Sequence, residues 1–221
     1  TSVRGLKSLR VLDFASEIAG PYCSKLFADA GADVIKVETP EGDRLRRWSA
    51  TGADLGDQDG ALFRYLNASK RSVVGTLEDV GTKTDGASSG EDEIETLIAS
   101  ADLLIEDFRV SAYDRAALLG GHPSLVILSI TPFGLTGPMA ENAATEFTIQ
   151  AECGSIGGRG RPESEPYQAG GRIVAWAGGC FGAVAALAAI RRSQATGQGE
   201  PIDLSLQADA AQAQNTYNSS F

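Results

Sequence analysis

Histidine and methionine each occur once in this 221-residue chain, and cysteine only three times. One imidazole cannot furnish a multi-histidine metal site. A Ser-His-Asp triad would have to rest on His122, which sits in Gly-Gly-His-Pro-Ser and reads as a turn residue. Cys23, Cys153 and Cys180 are far apart, odd in number and without CxxC spacing, so neither a disulfide framework nor a zinc site is supported. That usage, with no signal-peptide pattern ahead of the first strand-like segment, points to a reducing, cytoplasmic compartment. Basic residues are also scarce: 19 Lys and Arg against 29 Asp and Glu give a formal charge of −10. Such a chain lacks the footprint of a nucleic-acid binder and is repelled by anionic membrane surfaces. No apolar run near the length of a membrane span is free of polar interruption. The most apolar stretch, Ile173 to Ile190, is Ala- and Gly-rich and reads as a buried helix.

What is present is alternation. Arg10-Val-Leu-Asp-Phe14 is a β-rich run, Pro21 opens a helix over Tyr22 to Ala30 that Gly31 closes, and Asp33-Val-Ile-Lys-Val37 is a second strand. Strand, helix, strand in so short a span is the signature of a parallel sheet. The pattern continues with strands at Ser72 to Gly75, Leu103 to Ile105 and Leu125 to Ile130, and helices at Glu91 to Ala99 and Ala112 to Leu119. A long helix from about Ile173 to Ser193 precedes a strand at Pro201 to Leu206. The expected fold is α/β: an open, doubly wound, Rossmann-like, mostly parallel sheet. Gly52 to Gly60, Val80 to Asp92 and Gly154 to Gly171 read as loops.

The first βα turn, Ser16-Glu-Ile-Ala-Gly-Pro21, has neither GxGxxG nor a P-loop pattern, and Pro21 removes one N–H donor. A bare pyrophosphate is therefore not the expected occupant. Basic residues fall in clumps: Arg44, Arg46 and Arg47; Lys70 and Arg71; Arg109 and Arg115. Each clump lies near an element end, where a polyanionic small molecule would bind. On spacing alone, solvated surface charge is the favoured account of them. Cys23, in a first helical turn, reads as a small buried hydrophobe. Glu146 and Glu152 are six apart and do not share a helix face, so a carboxylate pair is not indicated.

Several segments together carry a family resemblance: Leu9-Arg-Val-Leu-Asp-Phe14, Ala19-Gly-Pro21, Ala28-Asp-Ala-Gly-Ala-Asp-Val-Ile-Lys-Val-Glu38 with Pro40 and Gly42-Asp43, and Asn67-Ala-Ser-Lys-Arg-Ser72. They continue in order through Ala101-Asp-Leu-Leu-Ile-Glu-Asp-Phe-Arg109, Pro123 to Thr131, Gly134 with Thr136-Gly-Pro138, and Thr196-Gly-Gln-Gly199. In this order and spacing the chain resembles the class III coenzyme A transferases, the CaiB/BaiF family that includes formyl-CoA transferase. Members are about twice as long. The resemblance therefore implies a large Rossmann-like domain over 1–200, with 201–221 beginning a connection toward a smaller domain. It implies coenzyme A, as an acyl-CoA substrate, a carboxylate acceptor, no metal, and either an interlocked homodimer or a second family domain.

By the same resemblance, Ile18 and Ala19 lie at the active-site edge, and Lys70, Arg71 and Ser72 on a loop that approaches coenzyme A. Asp107-Phe108 stands where the family has Asn-Phe beside the adenosine end, and Arg115 matches an arginine that contacts the phosphates. The family nucleophile is an aspartate whose carboxylate forms a mixed anhydride and then an aspartyl-CoA thioester. Counting back from Thr196, that place is held by Ala175, with Gly179 where the family has its following glycine. The racemase branch uses a His and an Asp, and here those places hold Thr145 and Ala175. No catalytic residue is carried over. Three readings stand: a CoA-transferase domain whose catalysis is supplied elsewhere, a degenerate CoA-binding or assembly domain, or substitution of the nucleophile by Glu146 or Glu152.

Overall fold

In a computed structural model, the described residues are 5–77, 89–108, 113–157, 159, 161 and 163–214. They form six strands: β1 (Arg10–Asp13), β2 (Asp33–Glu38), β3 (Arg71–Val74), β4 (Leu103–Glu106), β5 (Val126–Thr131) and β6 (Pro201–Ser205). The helices are α1 (Ala19–Asp29), α2 (Ala61–Leu66), α3 (Ser89–Ala99), α4 (Arg115–Gly121), α5 (Glu146–Glu152), α6 (Ile173–Thr196) and α7 (Leu206–Gln214), with a single 3-10 turn at Arg44–Arg47. All strand pairs are parallel, in the order β3-β2-β1-β4-β5-β6. The doubly wound expectation holds.

A parallel sheet covered on both faces needs strands that are apolar throughout. β4 and β5 are buried at every position. On one face Val11, Leu103, Ile105, Val126 and Leu128 pack under α1 and α6, against Cys23, Phe27, Ala186 and Ile190. On the other, Leu12, Ile35, Leu104 and Ile127 pack under α3 and α4, against Ile94, Ile98 and Leu118. Cys23 is a fully buried member of the first layer, a small hydrophobe as its sequence setting suggests.

Local signals explain the boundaries. α1 carries Pro21 in its first turn, where a missing N–H leaves no bond unmade, and ends at Gly31 with φ +101. α6 is 24 residues long and apolar enough to cross a membrane by length and composition, yet it packs across α1 and the sheet. Glycines permit that approach. A Cβ at Gly179 would lie 2.8 Å from the Ala19 carbonyl oxygen, and one at Gly182 3.2 Å from Ile130 and Leu128. At the other end of the crossover, Gly199 slides beneath the Leu125 carbonyl and donates to Pro123 O at 2.7 Å.

Residues 201–214 contribute β6 and α7 to this same body, with Ala210 buried against Val174 and Ile149. α2, α5, α7 and the 3-10 turn are not evident as elements from the sequence. They are short, and α5 is set by a Thr145/Thr148 capping box whose second residue is not the usual Glu or Gln. The helix expected over Ala112 to Leu119 begins at Arg115, where Asp114 accepts from the Ala116 and Ala117 N–H groups.

Candidate active site

In open α/β sheets, ligands sit outside the carboxyl ends of the strands, where the strand order reverses. Here that place is between β1 and β4. A cavity of about 820 Å³ opens there, lined among others by Phe14, Ser16, Glu17, Arg44, Asp107 and Phe108. Asp107 ties the two loops across the reversal: its Oδ2 accepts from both the Ser16 N–H and the Ser16 hydroxyl at 2.8 Å. Burial pushes the Asp107 carboxyl upward, against the Ser16 bonds and the nearby Lys36 charge.

A buried charge cluster forms part of the cavity floor and continues beneath it. Asp13, Lys36, Lys70 and Asp43 are all withdrawn from water. Asp13 accepts from Lys70 Nζ at 2.9 Å, Ser24 Oγ at 2.6 Å and the Ala15 N–H at 3.2 Å. Burial alone would raise its pKa, but Lys36, Lys70 and the hydrogen bonds outweigh that and hold it below the usual carboxylate range.

At the end of β2, Glu38 organises the opposite wall. Arg46 grips it with two bonds of 2.7 Å, Ser72 Oγ donates at 2.8 Å and the Asp43 N–H at 3.1 Å. Burial works against ionisation, yet these donors bring the Glu38 pKa to about 2. A carboxylate depressed in the fold stabilises it fully above its unfolded value of about 4.5, and that contribution drains away as pH falls towards 2. Glu38→Gln is therefore expected to lose about 2 kcal/mol at pH 7. Thermal melts of the two proteins should converge as pH is lowered through this window; a gap that stays constant with pH would refute the assignment.

The carried-over residues separate into groups. Asp107 and Phe108 line the cavity. Ile18 and Ala19 are buried at the start of α1 and share one apolar cluster with Ala175, which lies in the first turn of α6. Ser72 faces Glu38 and not the cavity. Lys70 is buried, with its three protons directed to Asp13, Asn67 Oδ1 and Pro21 O, each at 2.9 Å. Arg71 pairs with Asp33 at the amino end of β2, away from the carboxyl edge. Arg115 holds the fully buried Glu106 through Nε at 3.0 Å and Nη2 at 2.7 Å, and reaches Phe108 O at 3.1 Å. It therefore braces the Asp107–Phe108 loop from behind. Burial pushes the Glu106 carboxyl upward despite the bonds from Ser129 and Arg115. Arg109 lies outside the described residues.

Arg44, of the first basic clump, stands exposed on the rim, whereas other residues of the site have no signal in sequence. Lys36 lines the cavity from β2. Two more bridge the β1–α1 turn to α6: Arg172 Nη2 meets Glu17 Oε2 at 2.8 Å. Both are left-handed, with φ +57 and +60, and among the described non-glycine residues only Ser69 shares that conformation. Left-handed backbone costs about 1–3 kcal/mol per residue. Both side chains are 45% exposed, and such an ion pair returns only about 0–1 kcal/mol.

The sequence profile described as CoA-transferase family III matches residues 6–219. The chain belongs to CoA-transferase family III. It is 33% identical over 210 residues to a succinate–glutarate CoA-transferase of Agrobacterium fabrum, covering 91% of this chain and 50% of that protein. It is 34% identical over 215 residues to a subunit of the succinyl-CoA:(R)-benzylsuccinate CoA-transferase of Thauera aromatica, covering 93% and 50%. A CaiB/BaiF family protein from Brucella suis superposes with a TM-score of 0.84 at 32% identity, covering 98% of this chain and 58% of that one. The chain thus spans about half the length of the curated relatives it matches.

Proposed function

We propose that the protein containing this chain transfers coenzyme A between an acyl-CoA and a carboxylic acid, and that the acids are dicarboxylic. The cavity at the β1/β4 reversal carries the reading: Asp107 and Phe108, the residues the resemblance puts beside the adenosine end, line it. Arg44 on the rim is a cation within reach of phosphates. Arg115 serves the same end by fixing the loop, since it would meet a phosphate directly only by giving up Glu106. Relatives are named for succinate and glutarate, (R)-benzylsuccinate, mesaconate and malate, each a dicarboxylic acid.

The covalent carboxylate of such a reaction cannot come from Ala175, because a methyl group forms no anhydride. A second family domain or subunit supplies it in this reading. Two of the relatives carry the word subunit in their names, which supports a divided protein. An interlocked dimer is the assembly the resemblance implies, and the reducing cytoplasm is its compartment.

The test is acyl exchange by the full-length protein between succinyl-CoA and a second dicarboxylate, together with calorimetry of coenzyme A binding. Coenzyme A is expected to bind. The Ala175→Asp variant should exchange at least 100-fold faster than the wild type when no second family subunit is present. A chain that neither binds coenzyme A nor exchanges it in any pairing would overturn the proposal.

A further inference from the structure

The Glu17–Arg172 pair is unexplained by stability, since the exposed ion pair returns less than its two left-handed backbones cost. Strain that persists without a stabilising return is characteristic of sites where a group is held ready for a ligand. What is held here is a guanidinium. Arg172 is the N-cap residue of the longest helix, it makes no side-chain capping bond, and its carbonyl accepts from the Ala175 and Trp176 N–H groups. Trp176 in turn donates to Gly171 O at 2.9 Å, which pins the backbone on the other side of Arg172. The backbone is therefore fixed, while the side chain is half open to solvent and holds a single carboxylate. That carboxylate, Glu17, lines the cavity. A carboxylate from the substrate would find the same fork, with the positive end of α6 behind it.

Resting on the CoA-transfer reading above, we infer that Arg172 binds the free carboxylate of a dicarboxylic acyl group, with Glu17 as the competing internal carboxylate. When one end of a dicarboxylic acid is esterified to coenzyme A, the other end remains an anion. An arginine beside the first turn of α6 distinguishes that anion from the methyl end of a monocarboxylic acyl chain of the same length. Glu17 keeps the guanidinium oriented and neutralised until the substrate anion displaces it. Among the described residues Glu17 is the group that pairs with Arg172, so Glu17 is what the substrate anion displaces.

Succinyl-CoA and butyryl-CoA differ at that end by a carboxylate against a methyl, and calorimetry of both on the full-length protein tests the inference. The wild type is expected to prefer succinyl-CoA. Arg172→Gln should weaken succinyl-CoA several-fold, the range of a half-exposed ion pair, and leave butyryl-CoA unchanged. Arg172→Gly tolerates φ +57 without strain, so it provides a folded variant with the same expected loss. Glu17→Gln should tighten succinyl-CoA several-fold by removing the competitor. Equal weakening of both thioesters, or of neither, would show Arg172 to be scaffold or plain surface charge, and would overturn the inference while the CoA-binding reading stood. If the wild type bound neither thioester, both would fall.

Discussion

Asp13→Asn is expected to destabilise the protein by about 3–5 kcal/mol, the cost of stripping one partner from a buried ion pair. The side chain is fully buried and serves Lys70, Ser24 and the Ala15 N–H at once, with Lys36 Nζ 3.9 Å from its other oxygen. An amide of the same shape keeps the van der Waals contacts but leaves two buried ammonium groups with Asp43 as the remaining carboxylate beside Lys36. Burial already biases Lys70 toward its neutral form, and only Asp13 opposes that strongly. Urea unfolding at pH 7 reads the effect as a lower midpoint with an unchanged slope. Adding Lys70→Met to Asp13→Asn should recover part of the loss, because it removes one of the orphaned charges. A single-variant loss under 1 kcal/mol would mean that water reaches the cluster.

Gly199→Ala is the second large effect. A Cβ there would stand 1.8 Å from the Leu125 carbonyl oxygen, 2.4 Å from its carbon and 2.8 Å from the Ser124 carbon. All three obstacles are backbone, so no rotamer change relieves them. The start of β6 must move off β5, and the expected loss is about 3 kcal/mol or more. Gly197→Ala supplies the contrast. Gly197 has φ +74 but open space where its Cβ would go, so only the left-handed penalty of about 1 kcal/mol applies. Amide exchange localises the difference: in Gly199→Ala the β6 amides should lose protection well before those of β1. Equal losses in the two variants would show that conformation, and not crowding, governs this segment.

The second prediction gives physical content to a motif. Thr196-Gly-Gln-Gly199 is visible in the sequence only as a family signature. In three dimensions its first glycine turns the chain out of α6, and its second lets the next strand pass under β5. Much of the fold was similarly legible. Strands covered on both faces are largely apolar, so Leu125 to Ile130 and Leu103 to Ile105 stand out as runs, and Pro21 and Gly31 punctuate α1. The short elements α2, α5 and α7 were not legible, since they are stabilised by neighbours distant in sequence. The site was half legible. Resemblance singles out Asp107 and Phe108, which line the cavity, but nothing in spacing shows that Lys70 closes onto Asp13, that Arg71 turns to Asp33 or that Arg115 grips Glu106. Left-handed Glu17 and Arg172 gave no signal, because a non-glycine residue there carries no compositional mark.

The strand order also dictates a sequence of assembly. β1 pairs with β2, and β4 with β5, across single short crossovers, whereas Val11 must wait for Leu103 and Ile127 for Pro201. Closing a longer loop has a larger entropic penalty and delays pairing. The crossover from β5 to β6 contains Arg172 and all of α6, so Glu17 meets its partner only when this last connection docks on α1. A nascent chain can therefore hold a five-stranded sheet, with the cavity residues Phe14 to Phe108, before the Glu17–Arg172 pair exists. The guanidinium beside Glu17 arrives only with the final connection.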